Sequence, residues 1–387
     1  MYRLGALTAV LLAACGFGSP GGSGAKPVDA AVEQPDASTT IDAMTIDAAP
    51  QPGAGRKKRI TIDPAKVSGD QTAFPVWIVL TDADLMARAA TDGADIHFTR
   101  ADGTVLEHQI QRWSKTTGRL EAWVRVDLAD AAPTELDLRY GDPGTTHAPN
   151  PAMVFASSFD AVWHLDDSLA TAAVADATNK RNGTAMGGLG TNDQVTAQLG
   201  GGIKFDGNDN TGNQIRFANP YAGNGPHTIS AWVDQKNGGG ICDTIVTMGT
   251  ATANQSRWLH SYYNANNQAA IGFYGGTTYD WTNPQNMDIE NAGWTLVHWV
   301  YQNRESRLYK NGQLVDTRTN TLNATTQGTA GYLGYAPSDW GICTLNGTLD
   351  EVRLAAVPRT AGWIATEYEN QKSPQTFYTV GPEQQEP

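Results

Sequence analysis

The sequence predicts an all-β protein made of two antiparallel β-sandwich modules, and three observations carry that prediction. Apolar residues recur with period two over several separate runs, the spacing of a strand with one buried face. Turn signals punctuate those runs. Asp102-Gly103 and Asn311-Gly312 are the strongest, because tight hairpins demand residues that accept positive φ. The composition, with 41 glycines, 11 tryptophans and 13 tyrosines in 387 residues, suits turn-rich aromatic β-structure rather than helical bundles.

In chain order, residues 1–15 come first. Arg3 precedes an uncharged apolar run over residues 4–14. The run is too short for a bilayer-spanning helix and fits the hydrophobic centre of a signal peptide. Leu12, Ala13, Ala14 and Cys15 resemble the bacterial lipobox. That resemblance implies cleavage before Cys15 and acylation of its sulfur. The lipid bilayer would then be a partner, and the protein would sit at the cell envelope, on the outer membrane or cell surface. Two or three acyl chains hold stably where one is marginal. A plain secretory signal is the other reading of the same segment.

Residues 16–55 are rich in Gly, Pro, Ala, Ser, Thr and Asp and almost free of aromatics. They cannot bury enough apolar surface to offset their ordering entropy. The segment reads as a disordered tether spanning on the order of 35 Å. Arg56, Lys57, Lys58 and Arg59 follow and read as a solvated domain edge. The formal net charge of -13 argues against nucleic acid as a partner and against long-range attraction to acidic polymers.

The first module is expected over residues 56–155. Ile60 and Ile62 alternate with polar neighbours, as do Val76, Ile78 and Leu80, and the run Leu120, Ala122, Val124, Val126, Leu128 is the longest. Residues 82–90 suggest one short helix. Arg59-Ile60-Thr61-Ile62, residues 93–99, Asp102-Gly103-Thr104, residues 122–126 and residues 138–143 resemble a bacterial surface module, the domain of unknown function 2341. The resemblance implies a fold and no chemistry. His97 and His108 read as structural strand histidines.

The second module is expected over residues 156–372, with a flexible tail at 373–387. Trp163-His164-Leu165-Asp166, residues 176–184, 202–207, 228–233, 294–300 and 307–312, and residues 347–354 form an ordered series. The series resembles the laminin-G-like, concanavalin A-like jelly roll. The pieces also make sense alone. Ile229, Ala231 and Val233 share one strand face, Asn311-Gly312 turns a hairpin, and residues 359–370 read as a terminal helix with Ile364 and Tyr368 on one side.

The residues suggest three chemistries. Cys242 and Cys343 each follow Gly-Ile and are expected to pair in an oxidising compartment, worth roughly 4–5 kcal/mol by loop closure; two buried free thiols are the other reading. Sugars present CH patches and hydroxyls, so their sites mix aromatic faces with amides and carboxylates. Tyr279-Asp280-Trp281, Asp339-Trp340 and Tyr262-Tyr263 have that mix. Each also reads as cover for a sandwich edge. Asp206, Asn208 and Asp209 offer hard oxygens of the kind calcium takes, although the jelly-roll resemblance makes Phe205-Asp206-Gly207 a turn. No cofactor is required.

A catalytic reading finds little. Asp288 and Glu290 share a face if they lie on a strand, whereas the adjacent Asp350 and Glu351 should point to opposite faces. No paired-carboxylate glycosidase spacing, nucleophile elbow, zinc helix or phosphate loop occurs. The expectation is therefore a non-catalytic, membrane-anchored surface lipoprotein that binds carbohydrate or an extracellular, matrix or envelope polymer. A structural envelope protein with protein partners and a polysaccharide hydrolase are the alternatives.

Overall fold

In the computed structural model, which describes residues 55–386 apart from 143, 145–146, 157, 237–242, 251–254, 264–268, 273–285, 320–327 and 339–340, the first alternating run becomes β1 (Arg56–Ile62), buried at every second position. It pairs antiparallel with β6 (Thr134–Tyr140), and β6 pairs with β3 (His97–Thr99). A second sheet of β2 (Gln71–Thr81), β5 (Arg119–Leu128) and β4 (His108–Ser114) packs against the first. Ile60, Ile62, Leu136 and Leu138 meet Val76, Ile78, Leu120, Ala122 and Val124 in the core between them. The short helix is α1 (Ala83–Arg88), capped by the Asp82 carboxylate on the N–H groups of Asp84 and Leu85. α2 (Pro151–Val154) closes the module.

The basic cluster of β1 differs from the expected solvated edge. Arg56 and Lys58 are buried. Lys58 pairs with Asp82 and Asp84, Lys57 and Arg59 with Asp137, Arg59 also with Glu135, and Arg56 with Glu383. The strand alternation forces two of the four cations inward, and carboxylates meet them there.

Residues 373–387 are not the flexible tail expected. β24 (Tyr378–Val380) adds antiparallel to β1, and β25 (Gln384–Gln385) pairs with its first residues. Two open sheet edges explain this. β1 would otherwise lack a neighbour on one side. β2 is itself an edge strand, and its groups at Trp77 and Val79 are met by side chains from farther along the chain. Asn370 of α3 (Ala361–Lys372) accepts from Trp77 N–H and donates to Trp77 C=O, and the Tyr378 hydroxyl bridges Val79 N–H and C=O in the same way. Buried backbone groups need such partners.

The second module is the expected sandwich. One sheet runs β10 (Gln194–Ala197), β11 (Gly200–Asp206), β23 (Asn346–Ala355), β13 (His227–Gln235), β17 (Thr295–Gln302), β18 (Glu305–Lys310) and β19 (Gln313–Arg318), with β7 (Phe159–Trp163) also paired to β23. The other runs β16 (Ala269–Gly272), β15 (Ser256–Tyr263), β14 (Asp243–Gly249), β20 (Ala330–Leu333), β12 (Gln214–Ala218), β9 (Gly183–Met186) and β8 (Ala173–Val174). Trp163, Phe205, Ile229, Val246, Trp299 and Leu354 lie in the core between them. Asn311 and Gly312 have φ of 52° and 81°, as the hairpin joining β18 to β19 requires. A small hairpin of β21 (Tyr335–Ser338) and β22 (Gly341–Thr344) lies over β14.

The outer face of the first of these sheets is covered by α3 and by the β2–β5–β4 sheet. Trp77 and Trp123 on β2 and β5 lie 4.6 Å apart, and Trp123 stacks on His164 at 5.9 Å. The Arg353 guanidinium sits 4.5 Å above Trp123. Arg353 also holds Glu351 at 2.7 Å and Glu367 of α3 at 2.8 Å, while His164 reaches Glu351 at 2.6 Å and His298 reaches Glu367 at 2.8 Å. Every member of this ionic knot is buried.

The knot corrects the expectation for Asp350 and Glu351. Leu349 and Val352 both point into the sandwich core, so the two residues between them turn the same way. The register of β23 against β13 shifts here, and Glu351 takes φ of 50°, the mark of a bulge. Asp350 accepts a hydrogen bond from Leu199 N–H. Burial, then the Glu351 charge, holds its pKa well above the ordinary carboxyl range. Burial opposes Glu351 too, but His164 and Arg353 together bring it below that range. Both carboxyls are sealed from solvent.

A raised folded pKa means that the folded protein keeps a proton the unfolded chain releases, so stability falls as pH climbs above the ordinary carboxyl range. Asp350→Asn removes that loss. Melting curves are expected to place the variant level with the parent at pH 4 and above it at pH 8; an equal drop at both pH values would show that Asp350 is held ionised.

Candidate functional site

Two of the four sheet faces in the second module are spent on its core, and a third is covered by the first module. The outer face of the β16–β8 sheet remains. Inward residues are fixed by the core: Ala185, Ile215, Phe217, Leu333, Val246, Met248 and Leu259. Their neighbours therefore point outward. Register then aligns a row across the strands: Thr184 opposite Arg216, Arg216 opposite Tyr332, Tyr332 opposite Thr247 and Thr247 opposite Trp258.

The two halves of this face differ. Over Trp258 lies the β21–β22 hairpin, with Ala336 and Cys343 packed against the indole. The indole also meets His260 at 4.3 Å in a tilted pair and donates to the Thr244 hydroxyl at 2.9 Å. Tyr335, the first residue of the hairpin, meets Tyr332 edge-on at 5.5 Å. The other half is open. A groove of about 440 Å³ is lined by Asn182, Thr184, Met186, Arg216, Ala218 and Thr329, with Phe217 at its floor. Exposed Met186 supplies an apolar patch, and the hydroxyls, amide and guanidinium supply donors and acceptors.

Most of the residues predicted from sequence to bind ligand lie at the edge of what is described. Tyr279, Asp280, Trp281, Asp339 and Trp340 fall outside the described residues, as does Cys242. Tyr262 and Tyr263 end β15 and pair with Ala270 and Ala269. Tyr262 and Tyr263 are in β15, residues 279–283 follow β16, and residues 339–340 join β21 to β22. The groove residues Arg216 and Thr184, and Tyr332 beside Arg216 in the cross-strand row, were missed. Their signal was an ordinary alternation, with Arg216 between core residues Ile215 and Phe217 and Tyr332 beside core residue Leu333.

The oxygen-rich turn is engaged with itself. Asp206 Oδ1 accepts from Asn208 N–H and from the Thr211 hydroxyl, Asn208 Oδ1 accepts from Asn210 N–H, and Asp209 Oδ1 accepts from Thr344 N–H. Among the described residues no group of three or more His, Cys, Asp or Glu side chains is placed to hold a metal ion. Asp243 accepts from Asn346 N–H and the Gln235 amide, tying β14 to β23 and β13. Burial, with Glu290 and Asp209 nearby, pushes its pKa up to about 7. Asp288 and Glu290 alternate with buried Met287 and Ile289 and so share the outward side. His97 and His108 anchor Nδ1 on the carbonyls of Asp95 and Leu106, and burial lowers the pKa of both.

Comparison with known proteins follows the same division of the chain. Residues 92–169 match the domain of unknown function DUF2341, and residues 208–365 match the concanavalin A-like lectin/glucanases superfamily. No curated protein matches the chain in sequence. Among solved structures it is similar to domain 4 of an extracellular GH43 arabinanase from Geobacillus stearothermophilus, determined with arabinotriose. That match has 18% identity over 55% of this chain and 98% of that domain, with a TM-score of 0.41. A pentraxin from Limulus polyphemus matches at 17% identity over 42% of this chain and 78% of that one, with a TM-score of 0.35. A sialidase from Trypanosoma rangeli matches at 14% identity over 69% of this chain and 43% of that one, with a TM-score of 0.43. The chain thus carries a domain of unknown function 2341 followed by a concanavalin A-like lectin/glucanases superfamily domain of the laminin G type.

Proposed function

We propose that this protein is a non-catalytic surface lipoprotein that binds carbohydrate on the outer face of the β16–β8 sheet. The observation that carries the reading is the cross-strand row of Thr184, Arg216, Tyr332, Thr247 and Trp258, open at one end as a groove and roofed at the other by the β21–β22 hairpin. Aromatic rings beside hydroxyls and an amide are what a sugar, with its CH faces and hydroxyl edges, requires. Against catalysis stands the burial of the adjacent carboxyls Asp350 and Glu351 beneath the first module, out of reach of a polymer.

In this reading Cys15 carries the acyl chains, residues 16–55 act as the tether, and the described head is held away from the lipid surface. Cys242 joins Cys343, which would pin the hairpin over Trp258.

Three measurements test these assignments. Pull-down on insoluble polysaccharides is expected to retain the protein, and Tyr332→Ala to weaken retention by about tenfold, since aromatic stacking and burial at such a face contribute on the order of 1 kcal/mol or more; unchanged retention would place binding elsewhere. Cys15→Ser is expected to move the protein from the detergent phase to the aqueous phase, and an unaltered partition would remove the lipid anchor. Counting thiols in the denatured protein should find those of Cys242 and Cys343 only after reduction; two free thiols before it would exclude the bond.

A further inference from the structure

The open groove has a charge character unlike the rest of the molecule. The chain holds 40 acidic residues against 27 basic ones, yet among the described residues none that lines the groove is acidic. Arg216 is exposed there, and its guanidinium makes neither an ion pair nor a hydrogen bond among the described residues. Other arginines are committed: Arg59, Arg88, Arg112, Arg119, Arg139 and Arg353 each hold a carboxylate. Arg216 is also fixed in place. Its strand is flanked on both sides, with Thr184 opposite it on one neighbour and Tyr332 on the other, so the guanidinium rises from the middle of a sheet rather than from a loop.

We propose that the groove selects saccharides bearing a carboxylate, gripped by Arg216, while the hydroxyls of Thr184 and Thr329 and the amide of Asn182 meet the ring hydroxyls. The proposal rests on the glycan reading above and specifies its ligand class. A guanidinium presents a planar fork that matches a carboxylate with two parallel hydrogen bonds and is more weakly hydrated than an ammonium. The absence of a protein carboxylate in the groove leaves that fork for the ligand. The net charge of -13 opposes long-range approach of a polyanion. At physiological salt, however, charges beyond about 8 Å are largely screened, so the groove itself decides the contact.

The test uses the full chain in detergent and two matched pairs of probes: trigalacturonate against its methyl ester, and sialyllactose against its methyl ester. Each pair differs in carboxylate charge, and the pairs separate uronate from sialate as its source. Calorimetry is expected to show one acidic probe binding about tenfold tighter than its neutral counterpart. Arg216→Ala should abolish that preference while leaving the melting temperature unchanged, and Arg216→Lys should restore part of it. If acid and neutral partner bind alike, or if Arg216→Ala keeps the preference, the carboxylate proposal falls and the glycan reading stands. If no saccharide binds the parent protein at all, both fall.

Discussion

The architecture turns on one buried ionic knot. Arg353 lies between Glu351 and Glu367, with His164 and His298 closing the outer sides and the Trp123 ring above it. These residues come from β23, α3, the residue that follows β7, β17 and β5, so a single cation ties both modules and the terminal helix together. Buried charges cost several kcal/mol each to desolvate and are tolerated only when their hydrogen-bonding capacity is met. Glu367 illustrates the balance. Burial acts against its ionisation, yet Arg353 and His298 hold its pKa down to about 2. Removing one partner of such a knot would leave an uncompensated buried charge, which costs more than the pair itself contributes.

The knot also sets what the second module offers to the outside. With one sheet face buried against the first module, the opposite sheet supplies the only broad face left among the described residues. The same arrangement removes the adjacent Asp350 and Glu351 from solvent. A glycosidase-like pair must reach its polymer, and these carboxyls instead act as internal fasteners.

Much of the fold was legible from sequence because its signals are local. The alternation of β1, β2, β5 and β6, the Asn311-Gly312 turn and the terminal helix capped by Thr360 are all set within a few residues. Two features were not legible for the opposite reason. The bulge at Glu351 depends on how β23 meets β13, so simple alternation placed Asp350 and Glu351 on different sides. The fate of residues 373–387 depends on edges opened about three hundred residues earlier, as the pairing of Tyr378 with Val79 shows at a separation of 299. At the candidate site, composition pointed to aromatic-rich connections. Arg216 and Tyr332 were hidden in plain strand alternation, because a lone outward side chain carries no signal until register sets its neighbours beside it.

The late-arriving strand has a kinetic corollary. β1 emerges long before β24, and β2 long before Asn370 and Tyr378, so the amino-terminal sandwich waits with two unsatisfied borders while the whole jelly roll is made. Pairings that distant in sequence form slowly, and bare strand borders invite association with other chains. A chain interrupted before β24 leaves that border of β1 unpaired, so the end of the sequence completes the part made first.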